Sequence, residues 1–302
     1  MEQGRVAVIF GGAAGIGLAV ARRCKNNLGM KLCIADIDKA QLELVRKEFP
    51  SDLCVYCDAT DSEQVKKFAD EIYSKYNDVG LLFNNTGIVR GNSAFKTPLQ
   101  DWKKCLQITF EATVIGTHEF VPRMLTQPMK KALVVNTSSV AGLMNSTENT
   151  GTPYTVAKFA SRIFSEALAI ELSKTNIGVH CLCPGPVNTS LLKNSRNSIN
   201  ETFGFEKNRG AINDEVLEKG LSPDYVAECL ENGVRNNMFY IVITDPKSLP
   251  ISVIAESLRI VADDVENGTG PLSYSHPKSK SLADQVKKRM FHAVKKSTNA
   301  KL

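Results

Sequence analysis

Seven short apolar runs, each followed by a longer segment of a different pattern, constrain the fold of this 302-residue chain most strongly. The runs are rich in Val, Ile, Leu and aromatic residues, as expected for strands that are buried on both faces. The longer segments repeat their apolar positions every three or four residues, which is typical of helices. Such alternation predicts an α/β fold, a doubly wound parallel sheet with helices on both faces. The predicted strands are 5–10, 31–36, 53–57, 80–85, 132–138, 178–183 and 239–244, and the helices lie near 15–28, 38–48, 61–76, 98–126, 153–174 and 222–234.

The first predicted turn, between the first strand and the first helix, is rich in glycine. In GGAAGIG, the residues Gly11, Gly15 and Gly17 form a G-x-x-x-G-x-G pattern in the strand–turn–helix context of a dinucleotide site. Gly11 permits a tight turn, Gly15 lets the backbone approach a pyrophosphate, and Gly17 permits close helix packing. The N–H groups at the start of the helix then bind phosphate. We therefore predict a single-domain, Rossmann-type nucleotide-binding fold.

Polar residues stand at the ends of the next three predicted strands. Asp36 ends the second strand, Asp58 follows the third, and Asn85 belongs to the NNTG segment that ends the fourth. The carboxyl ends of parallel strands form the ligand-binding edge of such sheets. The carboxylate of Asp36 can accept a hydrogen bond from a ribose 2′-hydroxyl, and Ala14 supplies no charge to attract a 2′-phosphate. The pair predicts NAD rather than NADP, and the alternative role of Asp36 is a helix cap or turn residue.

A serine, a tyrosine and a lysine after the fifth predicted strand form a candidate catalytic set. Tyr154 and Lys158 are four residues apart, so they share one face of a predicted helix. A free tyrosine has a pKa of about 10, and we expect the neighbouring ammonium group to favour the phenolate. Ser139 is expected to hydrogen-bond the substrate oxygen near Tyr154. A tyrosine and a lysine at this spacing also occur on ordinary helices, so the pair alone does not identify an enzyme.

Five motifs in a fixed order resemble those of the classical short-chain dehydrogenase/reductase family, over residues 5 to about 245. They are the glycine pattern, CDATD, NNTG, SS…Y-x-x-x-K and PGPVNT. The resemblance implies a nicotinamide cofactor and hydride transfer between an alcohol and a ketone or aldehyde. It makes Ser139 the substrate-positioning residue, Tyr154 the acid/base, and Lys158 its activator and a contact of the nicotinamide ribose. The cofactor residues that we predict are Gly11, Gly12, Ala14, Gly15, Ile16, Gly17, Asp36, Asp58, Ala59, Asn85, Gly87, Tyr154, Lys158, Pro184, Gly185, Val187 (through its backbone) and Thr189.

The sequence departs from the family pattern at two places. Thr109 stands seven residues after Trp102, where the family usually has an asparagine that takes part in a proton relay. A threonine hydroxyl could hold a relay water but cannot make the contacts of an amide, and we expect activity to survive this exchange. The spacing from Ser139 to Tyr154 is two residues longer than is common, which indicates an insertion beside the substrate pocket.

We expect residues 1–247 to form the NAD(P)-binding catalytic domain, with an asparagine-rich substrate lid at 187–221. Residues 248–302 are expected to form a helical extension, with an amphipathic helix at 248–263 and a basic tail. From Lys278 to Leu302 the chain has eight basic residues and one acidic residue, a charge of +7, whereas the whole chain carries +5. A basic amphipathic segment can bind an anionic membrane surface or a partner groove. We favour instead a charged helix docked on its own subunit, or a frayed and solvated end.

The remaining features predict the setting and partners of the protein. The chain has no run of eighteen apolar residues and starts on a strand-like segment, so we expect no membrane span and no leader. Its eight cysteines, Cys54 and Cys57 among them, lack zinc spacing, so we expect reduced thiols, no metal and a cytoplasmic protein. The basic charge lies in a tail, which argues against a nucleic-acid partner. The apolar helix 153–174 predicts a homodimer or homotetramer.

These observations together predict an NAD-dependent oxidoreductase that acts on a small-molecule alcohol or carbonyl substrate, most simply a secondary alcohol. Two alternatives stay open. The first is an NADPH-dependent carbonyl reductase, against which Asp36 and Ala14 both argue. The second is a weakly catalytic, nucleotide-binding scaffold of the same fold, for which the threonine at position 109 is the only sign.

Overall fold

A computed structural model describes residues 1–89, 93–128, 131–144, 151–189 and 219–268 of the chain. Three predicted features fall largely on other residues. The centre of the predicted lid (190–218), most of the predicted insertion (145–150) and the basic tail (269–302) lie outside the described residues.

Seven parallel strands form one sheet in the order β3-β2-β1-β4-β5-β6-β7. The chain runs outward in one direction from β1 to β3 and in the other from β4 to β7, so the order reverses between β1 and β4. Sheets of this kind bind ligands in the crevice at the carboxyl ends of the strands beside that reversal. The Rossmann-like sheet that the sequence predicts is therefore confirmed. The strands are β1 (Val6–Phe10), β2 (Lys31–Asp36), β3 (Leu53–Tyr56), β4 (Leu81–Asn84), β5 (Ala132–Thr137), β6 (Ile177–Pro184) and β7 (Tyr240–Ile243).

Eight α-helices occur in the described part of the chain. A π-helical turn, Gln107–Glu111, and a 3₁₀ turn, Val140–Gly142, accompany them. The predicted helix 98–126 is therefore two α-helices joined through the π-helical turn, and the helix predicted at 248–263 continues to Asn267. The helices are α1 (Gly15–Asn26), α2 (Lys39–Glu48), α3 (Ser62–Tyr76), α4 (Leu99–Leu106), α5 (Ala112–Thr126), α6 (Thr152–Glu171), α7 (Pro223–Arg235) and α8 (Ile251–Asn267).

Helices cover both faces of the sheet because successive residues of each strand point to opposite sides. On one face, Ile9 of β1 packs among buried residues of α1, α2 and α7. On the other face, Phe10 packs among residues of α3, α5 and α6. There Phe10, Phe68 and Phe120 form an edge-to-face cluster with ring centroids 5.8–6.4 Å apart, a favourable geometry for aromatic rings.

Two helices carry features that matter below. Helix α6 buries Lys158, Ser161 and Ser165 toward the sheet and leaves three apolar side chains exposed, Val156, Ile163 and Ile170. Helix α8 packs Ile254 against residues of the 3₁₀ turn and of β6, so the C-terminal extension begins in contact with the sheet domain. Within the described ranges, no helix combines the length and the apolar character needed to cross a lipid bilayer.

Candidate active site

The turn between β1 and α1 forms a cradle of backbone with little room for side chains. Gly11 and Gly15 have positive φ angles of 68° and 54°, which glycine adopts most readily. A Cβ atom on Gly17 would lie 2.0 Å from the carbonyl oxygen of Gly11, so only glycine lets α1 approach this closely. A Cβ atom on Gly15 would meet the side chain of Thr189 at 3.0 Å. The structure thus brings together the glycine pattern and Thr189, and the contact of each with a cofactor stays a prediction.

Helix α1 begins at this cradle, and no described side chain caps it. Its N-cap residue, Ala14, makes no side-chain hydrogen bond, and its first turn contains no acidic residue. The first N–H groups of a helix carry partial positive charge and bind anions well. These features fit a pyrophosphate group, which the backbone from Gly11 to Gly17, including Gly12 and Ile16, would hold.

Asp36 lies beside the cradle at the end of β2. Its Oδ2 accepts a hydrogen bond from the N–H of Ala13 at 2.9 Å, and its Oδ1 accepts one from the N–H of Asp38 at 3.0 Å. Burial raises the pKa of Asp36, and these donors oppose the rise. Asp38, not Asp36, caps α2, since it accepts from the N–H of Gln41. The helix-cap role for Asp36 is therefore excluded, whereas its bond with the N–H of Asp38, two residues on, makes it a turn residue. A carboxylate has about four acceptor sites, so it can also accept from a ligand hydroxyl.

The ends of β3, β4 and β5 extend the same edge. Oδ1 of Asp58 accepts hydrogen bonds from the N–H and the hydroxyl of Thr60, at 2.9 and 2.8 Å. The amide of Asn85 donates to the carbonyl oxygen of Gly11 at 3.3 Å and accepts from the hydroxyl of Thr137 at 3.1 Å. Asn85 therefore joins the glycine cradle to the strand that precedes the catalytic residues. Of the remaining predicted cofactor residues, Ala59 and Gly87 follow β3 and β4, and Pro184 and Gly185 lie at the end of β6.

The two ends of the predicted lid meet at this edge. Val187 and Leu221 form a parallel β-bridge, and the N–H of Asn188 donates to the carbonyl oxygen of Leu221 at 2.8 Å. Val187 is buried. The contact of its backbone with a nicotinamide amide stays a prediction.

The 3₁₀ turn after β5 and the start of α6 bring Ser139 and Tyr154 together. Their side-chain oxygens share a hydrogen bond. Ser139 is also the N-cap of the 3₁₀ turn, where Oγ accepts from the N–H of Ala141 at 3.1 Å, and it donates to the carbonyl oxygen of Pro184 at 3.3 Å. These contacts fix the serine hydroxyl beside the phenol, as its predicted positioning role requires.

Lys158 lies one helical turn beyond Tyr154 and is only 3% exposed. Its Nζ donates to the carbonyl oxygen of Thr137 at 2.8 Å and lies 5.7 Å from the centroid of the Tyr154 ring. A Cβ atom on Gly87 would lie 3.3 Å from this Nζ, so the loop after β4 closes over the ammonium group. Burial lowers the pKa of Lys158 to about 8.

The pKa of Tyr154 moves in the direction opposite to the one that the sequence predicts. We expected the ammonium group of Lys158 to lower it, but burial raises the pKa of Tyr154 to about 12, and only the hydrogen bond to Ser139 opposes that rise. Removal from water disfavours a phenolate and an ammonium alike. The expectation is therefore wrong for the protein alone, in which the phenol is neutral at pH 7.

Thr109 lies in the π-helical turn, and it is fully buried. Its hydroxyl donates to the carbonyl oxygen of Ile88 and accepts from the N–H of Ile88, both at 3.2 Å. Its methyl group would be 3.6 Å from a Cβ atom on Gly87. These contacts make Thr109 a positioning residue for the loop that covers Lys158. Its part in a proton relay stays a prediction.

Sequence reasoning missed a set of buried polar side chains beneath the site. Asn84 and Asn136 are register partners on β4 and β5, and the amide of Asn84 donates to Oδ1 of Asn136 at 2.9 Å. The amide of Asn136 donates to Oγ of Ser165 at 3.1 Å, and the hydroxyl of Ser138 donates to the carbonyl oxygen of Lys158 at 2.8 Å. These bonds fasten α6 to the strand ends. Their signal in the sequence is a polar residue that closes an apolar run.

The closely spaced cysteines Cys54 and Cys57 belong to the hydrophobic core. Cys54 and Cys57 are buried free thiols, and burial raises the pKa of Cys54 to about 11 and that of Cys57 to about 12. Among the residues that the structure describes, no cluster of three His, Cys, Asp or Glu side chains could hold a metal ion.

Comparison with known proteins agrees with the family resemblance seen in the sequence. The model of the short chain dehydrogenase family matches residues 5–200. The chain belongs to the classical short-chain dehydrogenase/reductase family. A CLA biosynthesis dehydrogenase/reductase from Lactiplantibacillus plantarum is 29% identical over 275 residues, 86% of this chain and 94% of its own. A C alpha-dehydrogenase from Sphingobium sp. is 29% identical over 250 residues, 80% of each chain.

A solved structure of the family has the same fold. It is a short chain dehydrogenase/reductase from Burkholderia phymatum in complex with NAD, which is 28% identical and has a TM-score of 0.77. The match covers 91% of this dehydrogenase/reductase and 98% of that chain. The fold and the family of the enzyme are thus established, together with its class as an oxidoreductase that binds a nicotinamide cofactor.

The variant Lys158→Met tests the buried ammonium group of this dehydrogenase/reductase. Burial lowers the pKa of Lys158 from its usual 10.5 to about 8, so between these pH values the unfolded chain binds more protons than the folded one. The free energy of unfolding of the wild type should therefore rise with pH relative to that of the variant, by about 3 kcal/mol from pH 7 to pH 10.5. Urea denaturation across this pH range measures the difference in unfolding free energy. The pH-dependent contributions of the groups that both proteins share cancel in this difference.

The matched control is Lys66→Met, which removes an exposed lysine of α3. Its difference from the wild type should not change with pH. If the difference in unfolding free energy between the wild type and Lys158→Met also stayed constant with pH, burial would not lower the pKa of this ammonium group.

Proposed function

We propose that this dehydrogenase/reductase is an NAD-dependent oxidoreductase that interconverts a small-molecule alcohol, most simply a secondary alcohol, with its ketone or aldehyde. The observation that carries the proposal is the meeting of Ser139, Tyr154 and Lys158 with the glycine cradle at one edge of the sheet. The relatives from Lactiplantibacillus plantarum and Sphingobium are both named dehydrogenases, which supports the reaction class. Their substrates are not carried over to this chain.

A nicotinamide cofactor held by the glycine cradle and the strand ends would supply the hydride chemistry, as acceptor from the alcohol carbon or donor to the carbonyl carbon. Oη of Tyr154 accepts the hydroxyl proton in the oxidation and donates a proton to the carbonyl oxygen in the reduction. Ser139 already shares a hydrogen bond with Tyr154. Its hydroxyl can therefore hold the substrate oxygen within reach of the phenol.

The protonation state of Tyr154 links the two directions of the reaction. With a pKa of about 12, the phenol is protonated at neutral pH and ready to donate a proton. Oxidation needs the phenolate, which a positive charge close to the ring favours. Lys158 provides one such charge 5.7 Å from the ring centroid. By itself this charge does not offset the effect of burial on the pKa of Tyr154. An oxidised nicotinamide ring would bring the second charge.

The choice of NAD rests on the edge of the cradle. The carboxylate of Asp36 stands where an adenosine ribose is expected, with both oxygens oriented by N–H donors. A ribose 2′-phosphate there would meet a negative charge, and Ala14 gives it no cation to pair with. The relative from Burkholderia phymatum was solved with NAD, which supports the same choice.

The exposed apolar side chains of α6 support our proposal of a homodimer or homotetramer. Val156, Ile163 and Ile170 follow one another at intervals of seven residues, so they lie along one face of the helix. Burying such a face against a second copy removes it from water. Light scattering of the purified chain distinguishes these assemblies from a monomer.

The variant Tyr154→Phe tests the acid/base role. It removes the hydroxyl alone, so we expect kcat to fall by about 10²–10⁴-fold, while NAD binding changes little because the glycine cradle is untouched. Formation of NADH from a panel of secondary alcohols measures turnover, and isothermal titration measures NAD binding. Tyr225→Phe, which alters an exposed tyrosine of α7, is the matched control.

Unchanged turnover in Tyr154→Phe would refute the assigned role. A wild-type enzyme that binds NAD tightly but converts none of a broad set of alcohols or ketones would instead favour the scaffold alternative.

The variant Asp36→Ala tests the choice of cofactor. We expect the wild type to bind NAD at least about tenfold more tightly than NADP, a difference of about 1.4 kcal/mol. Removing the carboxylate should raise NADP affinity and erase most of this ratio. Asp38→Ala, which changes the neighbouring cap of α2, should leave the ratio intact. Tighter binding of NADP by the wild type would contradict the proposal and favour the NADPH-dependent reductase.

A further inference from the structure

Helix α8 presents a continuous apolar surface beside the side that it buries. Ile254, Ser257 and Ile260 are buried, and Ile254 packs against the sheet domain. The neighbouring side is exposed, to 79% in the case of Val265. We define the α8 stripe as the four exposed apolar residues on this side. They lie on one helical face and are Ile251, Leu258, Val261 and Val265.

The charge of α8 is opposite to that of the chain that follows it. The helix has four acidic residues and one arginine, which leaves a charge of −3. Residues 281–296 have five basic residues and one acidic residue, a charge of +4. The α8 charges are Glu256, Arg259, Asp263, Asp264 and Glu266, and the others are Asp284, Lys287, Lys288, Arg289, Lys295 and Lys296.

The sequence of 281–296 matches the α8 stripe in pattern and length. Its apolar residues recur every four positions, which on a helix would line one face. A helix over these residues would be about 24 Å long, against about 25 Å for the 17 residues of α8. The apolar residues of this segment are Leu282, Val286, Met290 and Val294.

The connection allows the chain to return along α8. Gly268 ends the helix with a positive φ of 62°, a left-handed cap that turns the chain away from the helix axis. Twelve residues, 269–280, separate it from the basic segment. A random-coil chain of twelve residues spans about 20 Å on average. It also gives an effective concentration in the mM range, so a weak contact suffices for docking.

We propose that residues 281–296 dock on the α8 stripe of their own chain as an antiparallel helix. Leu282, Val286, Met290 and Val294 meet the stripe, and the net positive charge of the segment favours its approach to a helix with a net charge of −3. The negative charge of α8 opposes an anionic membrane as the occupant of this surface. A second copy would bring the same negative charge to it, whereas α6 offers a second copy an apolar face of its own.

Hydrogen exchange of the full-length protein, followed by mass spectrometry, tests this inference. Docking should slow exchange of the 281–296 amides by about tenfold or more relative to an unstructured chain. The protection should not depend on protein concentration, and it should weaken as salt is raised. Exchange at the rate of an unstructured chain would overturn the proposal.

Two full-length variants locate the contact. Val261→Asp combined with Val265→Asp places charges on exposed positions of the α8 stripe and should return the 281–296 amides to the unprotected rate. Leu44→Asp, at an exposed position of α2, is the matched control and should leave the protection unchanged. Met290→Asp should remove the same protection from the other side, without altering any residue of the sheet domain.

Three results would assign the segment to another occupant and overturn the proposal. Protection that Ile163→Asp removes and the α8 variant does not would place the segment on α6. Protection that arises only at high protein concentration would indicate a second copy. Protection that requires vesicles containing phosphatidylserine would indicate a membrane surface.

Discussion

The ammonium group of Lys158 is held 2.8 Å from the carbonyl oxygen of Thr137, in a position almost closed to water. A charge in such a place is costly unless it is hydrogen-bonded and closely surrounded. Four parts of the fold supply those surroundings. They are the end of β5, the first turns of α6, the loop after β4 at Gly87, and the π-helical turn that holds this loop through Thr109. The catalytic arrangement depends on all four being in place together.

The burial of Lys158 and Tyr154 has a consequence for the proposed chemistry. It lowers the pKa of Lys158 to about 8 and raises that of Tyr154 to about 12, so both side chains are biased toward their neutral forms. In the proposed reaction the phenol would then be a proton donor in the protein alone, and it would become a base only when more positive charge arrives. We infer that the site keeps Tyr154 neutral until an oxidised nicotinamide ring enters. In this way the state of the cofactor would set the direction of proton transfer.

Local patterns in the sequence predicted most of the fold. Each strand is a mostly apolar run, and the apolar residues of each helix recur every three or four positions. The glycine pattern lies where only glycine fits, as the 2.0 Å contact at Gly17 shows. Tyr154 and Lys158 were found because their four-residue spacing is that of one helical turn, and Ser139 was found with them through the family resemblance.

What the sequence did not predict depends on contacts between distant segments. The π-helical turn at Thr109 lies inside a helical period that continues on both sides, so nothing local marks it. The pairing of Asn84 with Asn136 requires the register of two strands. The pKa of Tyr154 was predicted in the wrong direction because four-residue spacing reports a neighbouring charge but not the loss of water around it.

The proton on Tyr154 is therefore the most direct quantity to measure. Tyrosine labelled with ¹³C at Cζ reports ionisation by NMR, and Tyr154→Phe assigns the resonance. Without cofactor, the Tyr154 signal should stay that of a neutral phenol up to about pH 10.5, and with saturating NAD it should titrate at least about one pH unit below its free value. The same titration curve with and without NAD would contradict a site in which the charge of the cofactor creates the base.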